Sequence, residues 1–500
     1  MKYCFIVLLG LLSFSKSHAQ KNKKTLNDSL AVFDAYVQKA MKDWSVPGIA
    51  IAIVKNDEIV FTKGYGVREY GTDKKVDSKT YFNCASTTKA MTATCMAMLV
   101  DEGKVDWDDP VIKYLPDFQL YDPYVTRELT VRDLFLHNSG VGNTDYLWGD
   151  NVLTADQVLA KMKLVKPTYS FRSSFIYQNI FYLTAGKIIE KVSGKPWNVF
   201  IKERIFDPLG MTNTKALNKE VTDENRTSPH FIVNNHVVPI ERTTADEIAP
   251  AGSVNSCADD MAKWVKCMID SSKYTGGRLV KPETWIYLLK PKTLVTESQF
   301  YPTQYLTKPN FMTYAMGWFQ QDYKGDKLNF HTGSLDGLTA INAQLPDKKF
   351  GIYIFGNLDH AEVRHALMFK AIDYFALGGD RDWSTDMKAL YDSIHTEAKK
   401  QDLLSVPVQV MGTKPSLALS EYAGDYDDEL YGSVKIVDDN DQLKVIINTV
   451  LHGSLAHYHY NTFKVTYEKK HYPNDYYSFN LNNNGKVESI TISGITYMKK

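Results

Sequence analysis

Residues 90–100 read Ala-Met-Thr-Ala-Thr-Cys-Met-Ala-Met-Leu-Val. A helix built on this run has no charged face, so it has to be buried and the rest of its domain has to wrap around it. At its mouth stand Ser86-Thr87-Thr88-Lys89. A serine and a lysine three apart share one helix face, about one turn from each other. Ser86 then lies at the positive end of the helix, among backbone N–H groups that lack intrahelical partners. A serine hydroxyl is a poor nucleophile until a base removes its proton. Lys89 can do that only with its pKa moved from about 10.4 to about 7, a cost of roughly 4–5 kcal/mol that burial supplies. Taken alone, Ser-x-x-Lys also describes an exposed cap followed by a solvated lysine, so the reading has to rest on the rest of the chain.

The chain is 500 residues long, which implies two or three domains. Lys+Arg and Asp+Glu both count 58, so there is no polyanion-binding signature and nucleic acid is excluded as a partner. Lys2, an apolar stretch at 5–14 and Ser17-His18-Ala19 before Gln20 predict a signal peptide over residues 1–19 and hence a periplasmic or secreted protein. That stretch is too short to span a bilayer, and no later one is long enough. Cys4 precedes the apolar stretch, so a lipid anchor is not expected. Cys84, Cys95, Cys257 and Cys267 remain; they have no zinc spacing and are expected as buried free thiols. No cofactor or metal is called for.

Along the chain, residues 26–44 keep helical spacing, and 49–54 then 59–61 read as a hairpin turning at Asn56-Asp57. Short helices follow at 129–136, 154–162, 179–192, 197–205 and 258–268. A second strand-rich block covers 327–332, 338–345 and 351–356, closed by a helix over 362–375. The simplest architecture pairs the first and last blocks in one antiparallel sheet, with the middle block as a helical lobe and the site between them. A helix and linker occupy 386–415. From 416 to 500 the pattern is alternating, with strands at 434–437, 443–447, 463–467, 476–481 and 489–492, and predicts a small antiparallel barrel. Its many tyrosines are read as ordinary amphipathic strand residues.

Two further stretches meet the needs of a Ser/Lys hydrolase: Tyr177-Gln178-Asn179, where a loop enters a helix, and His331-Thr332-Gly333-Ser334, at a strand end. Ser86-x-x-Lys89, Tyr177-x-Asn179 and His331-x-Gly333, in this order, resemble the serine hydrolases related to class C β-lactamases and penicillin-binding DD-peptidases. Leu136-His137-Asn138-Ser139-Gly140, Pro250-Ala251-Gly252 and Tyr314-Ala315-Met316-Gly317-Trp318 agree with this resemblance, which covers about residues 26–377. The tail resembles the lipocalin-like module that some members carry. The implied fold class is α/β, an antiparallel sheet flanked by helices plus a helical lobe over 20–385, followed by the all-β barrel.

The resemblance implies that Ser86 is acylated and that Lys89 and Tyr177 trade its proton, the tyrosine held as an acceptor by nearby positive charge. Which of the two is the base is left open. Asn179 would orient the substrate amide, Ser86 and Ser334 N–H groups would form the oxyanion hole, and His331 and Thr332 would line the acyl pocket. β-Lactamases and transpeptidases usually carry lysine where this chain has His331. A neutral imidazole is a weaker carboxylate anchor, and members with histidine include D-stereospecific aminopeptidases and esterases. Hydrolysis of D-amino-acid-containing peptides or of small esters is therefore expected, so the partner is a peptide or small molecule. The alternative is a β-lactam-acylated binder with slow turnover. His137 is read as a structural hydrogen-bonder. His360 and His365 miss the H-E-x-x-H spacing, His457 and His459 are read as ordinary strand residues, and no Gly-x-Ser-x-Gly elbow exists.

Overall fold

A computed structural model describes residues 26–149 and 152–500, so the expected signal peptide lies outside the described residues. One antiparallel sheet of eight strands runs in the order Glu58–Gly66, Gly48–Lys55, Phe350–Gly356, Leu338–Leu345, Asp326–Leu335, Trp318–Tyr323, Met312–Ala315, Thr293–Leu294. Ile51 stands opposite Ile354, so strands about 300 residues apart in the chain are neighbours, as the block pattern predicts.

The strand Gly48–Lys55 is apolar without alternation because both of its faces are covered. Ile49, Ile51 and Ile53 pack with the helices Leu26–Asp43 and Val363–Ala371. Ala50, Ala52 and Val54 point the other way, into the core that holds the helices Thr88–Asp101 and Ala258–Ile269. In Thr88–Asp101 only Val100 and Asp101 are not fully buried, as a helix apolar all round requires.

The last three strands in that order, Trp318–Tyr323, Met312–Ala315 and Thr293–Leu294, carry no clear sequence signal. In Trp318–Tyr323 the polar pair Gln320-Gln321 interrupts the apolar pattern, yet both residues are buried. Gln320 Nε2 donates to Leu289 O at 2.8 Å and Asn329 Oδ1 at 2.7 Å, which makes its burial affordable. The expected helix at 129–136 is reduced to the 3₁₀ turn Arg132–Phe135. The Asp133 carboxylate accepts from Thr130 N and Oγ1, and the chain leaves the turn through His137 at φ 55°, a value that stops a helix.

The C-terminal strands close an eight-stranded antiparallel barrel from Gly424–Asp428 to Ile495–Lys499, with Tyr426 opposite Lys499. Two strands were not expected, Gly424–Asp428 and Ile495–Lys499, and Leu451–His459 extends the strand expected around His457 and His459. The first is acidic, so it does not stand out by composition. Tyr426, Tyr477 and Tyr497 pack inside the barrel with Val434, Val445 and Phe479. All four described cysteines are free and buried. No helix among the described residues is long and apolar enough to cross a membrane.

Candidate active site

Ser86 is set up by a bend. Ala85 is held at φ 46°, a left-handed conformation that costs a non-glycine residue about 1 kcal/mol, and its N–H is tied to Asn83 Oδ1 at 2.6 Å. The bend leaves Ser86 half-buried while its neighbours on both sides are buried. Ser86 lies in the 3₁₀ turn Ala85–Thr87, directly before the helix Thr88–Asp101. Thr87 Oγ1 donates to Cys84 O at 2.8 Å and meets Tyr353 OH at 2.5 Å, which ties the turn to the sheet.

Lys89 is completely buried. Its Nζ lies 3.0 Å from Ser86 Oγ, 2.7 Å from Asn179 Oδ1 and 2.9 Å from Ala251 O. Burial pushes its pKa down to about 7, while the charge of Asp145 acts in the opposite direction. A neutral amine has two N–H groups and one lone pair. The Asn179 and Ala251 oxygens can only accept, so they take the two N–H groups and leave the lone pair aimed at the Ser86 hydroxyl.

Asn179 is the residue before the helix Ile180–Ser193. Its Oδ1 accepts from Lys89 and its Nδ2 donates to Asp145 Oδ1 at 2.8 Å, so the amide links the amine to a carboxylate. The Tyr177 hydroxyl is buried beside Ser86 but makes no hydrogen bond of regular geometry. Burial holds its pKa well above 10, with the Ser86 hydroxyl pulling the other way. Tyr177 is therefore a protonated phenol, unlike the charge-stabilised acceptor that the resemblance implied. The His137 ring lies on Tyr177 with centroids 4.3 Å apart, and its Nδ1 accepts from Gln178 N at 3.0 Å. Burial, then the charge of Lys89, keeps His137 neutral, in line with a structural hydrogen-bonder.

His331 is buried, with only 1% of its surface exposed. Its Nδ1 donates to Thr332 O at 2.6 Å and its Nε2 accepts from Tyr314 OH at 3.0 Å. Burial, then Lys89, pushes its pKa down to about 3, so it carries no charge to offer a carboxylate. Thr332 Oγ1 pairs with Tyr301 OH at 2.7 Å. The strand carrying His331–Ser334 is paired on one side through Leu335 but on the other only as far as Phe330, so its 331–335 edge is open. Gly333 is required there: a Cβ would fall 2.3 Å from Cys84 O and 3.1 Å from Ser86 N. Ser334 is exposed at the end of that edge. The structure thus brings Ser86, Lys89, Tyr177, Asn179 and Gly333 together.

Asp145 and Arg364 had no sequence signal, and Tyr314 stood only in a stretch that agrees with the resemblance. Asp145 contacts Asn179 across 34 positions. Tyr314 OH holds His331. The buried Arg364, paired with Glu362 at 3.0 Å, donates to Gly333 O at 2.5 Å and Ser334 Oγ at 2.9 Å, fixing the strand end from beneath.

Comparison with known proteins bears on the family and the fold. The protein-family model described as Beta-lactamase matches residues 33–376, and one described as a domain of unknown function, DUF3471, matches 409–499. Unguisins hydrolase ungD of Aspergillus violaceofuscus is 30% identical over 448 residues, which cover 82% of this chain and 77% of that protein. Protein flp of Staphylococcus aureus is 25% identical over 348 residues, 67% of this chain and 64% of that protein. Among solved structures, the octameric penicillin-binding protein homologue from Pyrococcus abyssi aligns at TM-score 0.63 and 22% identity, over 94% of this chain and 100% of that one. The D-stereospecific amidohydrolase from Streptomyces sp. aligns at TM-score 0.55 and 21% identity, over 67% and 97%. At these identities the two structures establish the fold. With a matching model across 33–376 and this fold behind it, the chain belongs to the Beta-lactamase family and is a hydrolase of that fold.

Proposed function

We propose that this protein is an exported serine hydrolase that forms an acyl-enzyme on Ser86 and cleaves amide or ester bonds, in peptides containing D-amino acids or in small esters. The observation that carries this reading is the Lys89 amine, 3.0 Å from Ser86 Oγ, with its other two contacts fixed on acceptors. As Ser86 Oγ attacks the carbonyl carbon, its proton passes to the Lys89 lone pair. The oxyanion is received by the N–H groups of Ser86 and Ser334, each donor worth about 3 kcal/mol. Tyr177, protonated and adjacent, gives its proton to the leaving nitrogen or oxygen and is reprotonated by Lys89. Water then repeats the sequence on the acyl-enzyme. The substrate class is supported by the neutral His331, which dispenses with a fixed charge for a substrate carboxylate, and by an amidohydrolase and an unguisins hydrolase among the similar proteins. Residues 1–19 support export.

The test is turnover of a chromogenic ester and of D-alanine p-nitroanilide by wild type and Ser86→Ala, with mass spectrometry of the trapped acyl-enzyme. Loss of about a thousandfold or more in kcat on Ser86→Ala is expected, on the scale of removing a nucleophile. Stoichiometric labelling by a penicillin with no turnover of either substrate sinks the hydrolase reading and selects the binder. Tyr177→Phe is expected to lower kcat about 100-fold on the anilide and only a few-fold on the nitrophenyl ester, since only the amine leaving group needs a proton. Equal losses on both substrates exclude Tyr177 as the acid.

A further inference from the structure

The barrel touches the catalytic domain where His471 lies on Phe231, and again beside the site. Its first hairpin turn, Asp428–Tyr431, is preformed: Asp428 Oδ1 accepts from Leu430 N at 2.8 Å and from Tyr431 N at 2.9 Å. Leu430 packs against the hydrophobic core of the catalytic domain. The Tyr431 ring lies against Tyr146, with centroids 4.6 Å apart and planes at 42°. Lys161 Nζ donates to Glu429 O. Tyr146 belongs to the 3₁₀ turn Asp145–Leu147.

On its other side that same turn is bound to the site. Asp145 Oδ1 accepts from Asn179 Nδ2 and from Trp148 Nε1, both at 2.8 Å. Thr144 Oγ1 donates to Gln178 Oε1 at 2.7 Å, and Gln178 Nε2 donates to Gly142 O at 2.5 Å. The segment 142–148 is therefore held between the barrel and the pair Gln178-Asn179. Nothing regular stiffens it from within, since a single 3₁₀ turn has poor hydrogen-bond geometry.

We propose that the barrel turn Asp428–Tyr431 is a positioning element for the catalytic amine: Leu430 and Tyr431 clamp Asp145–Leu147, and through Asp145 and Asn179 they hold Lys89 against Ser86. This rests on the reading of Lys89 as the base given above. Tyr177, Tyr182, His137, His331 and Asp145 face the amine, and Arg364 lies beyond His331 against Gly333. Burial keeps the two phenols protonated and both imidazoles neutral, so Asp145 is the charge whose placement matters. When the clamp is released, the carboxylate is no longer held toward the amine. Lys89 then gives up its proton at lower pH, and its lone pair is no longer fixed on Ser86.

The experiment compares full-length wild type with the double variant Leu430→Ala/Tyr431→Ala, measuring kcat, KM and the pH midpoint at which kcat rises. The expected result is a tenfold or greater fall in plateau kcat, KM within about threefold, and a midpoint moved to lower pH. Tyr431→Phe, which keeps the ring, is expected to restore both kcat and midpoint. A folded double variant with unchanged kcat and midpoint overturns the proposal. So does one whose activity falls only in proportion to its folded fraction, with the midpoint unmoved. If the double variant does not fold, Tyr146→Ala removes the same ring contact from the catalytic side at an exposed residue, and an unmoved midpoint there is equally decisive. Ser86→Ala is assayed alongside: activity surviving in it refutes the hydrolase reading itself, whatever the barrel variants do.

Discussion

Lys89→Met is expected to lower kcat about a thousandfold and to remove a stability cost that depends on pH. The kinetic loss follows if Lys89 is, as proposed, the base that accepts the Ser86 proton. The stability effect follows from linkage. In the folded protein Lys89 has its pKa pushed down to about 7 by burial, against an ordinary 10.5. Between these two values the unfolded chain binds a proton that the folded chain does not, so wild-type stability rises with pH across that window. At about 1.36 kcal/mol per pH unit the change is on the order of 4 kcal/mol between pH 7 and pH 10. The methionine variant lacks this contribution. Its stability relative to wild type should therefore improve by about that amount as pH falls from 10 to 7, as read from urea unfolding at pH 7, 8.5 and 10. A pH-independent difference would mean that the amine is buried with its charge, and the proposed base would be lost. The same pKa predicts that wild-type kcat rises with pH through a midpoint near 7, because the protonated amine has no lone pair.

Gly333→Ala is expected to produce the second large effect, on fold and activity together. The added Cβ meets Cys84 O at 2.3 Å, Ala85 Cβ at 3.0 Å and Ser86 N at 3.1 Å. Two of these atoms are backbone and cannot swing aside, so the nucleophile turn itself has to move. Overpacking of this kind costs about 2–3 kcal/mol. A displacement near 1 Å at the reacting atoms costs about 100-fold in rate. Gly351→Ala is the control: its Cβ would meet the Val265 side chain at 2.4 Å, away from Ser86. It should lose comparable stability while the folded enzyme keeps its kcat. If Gly333→Ala lowers kcat no more than this control does, Gly333 only packs, and the close approach of its strand to Ser86 has no catalytic consequence.

Much of the fold is legible in the chain because its signals are local. An unbroken apolar run announces Gly48–Lys55, and helical periodicity announces Leu26–Asp43 and Ala258–Ile269. Ser86 and Lys89 can be paired on sight, since three positions along a helix are neighbours by geometry alone. The strand Trp318–Tyr323 escaped because the groups that satisfy Gln320 lie on Leu289 and Asn329, outside any local window. Tertiary structure alone decided the electrostatics. Asp145 sits 34 positions from Asn179 and Arg364 lies 30 from Ser334, so no pattern joins them. The depressed pKa of Lys89 and the protonated state of Tyr177 arise from burial by segments distant in the chain. Residue spacing records which side chains share a face; what surrounds them, and hence which proton each keeps, exists only once the chain has closed over them.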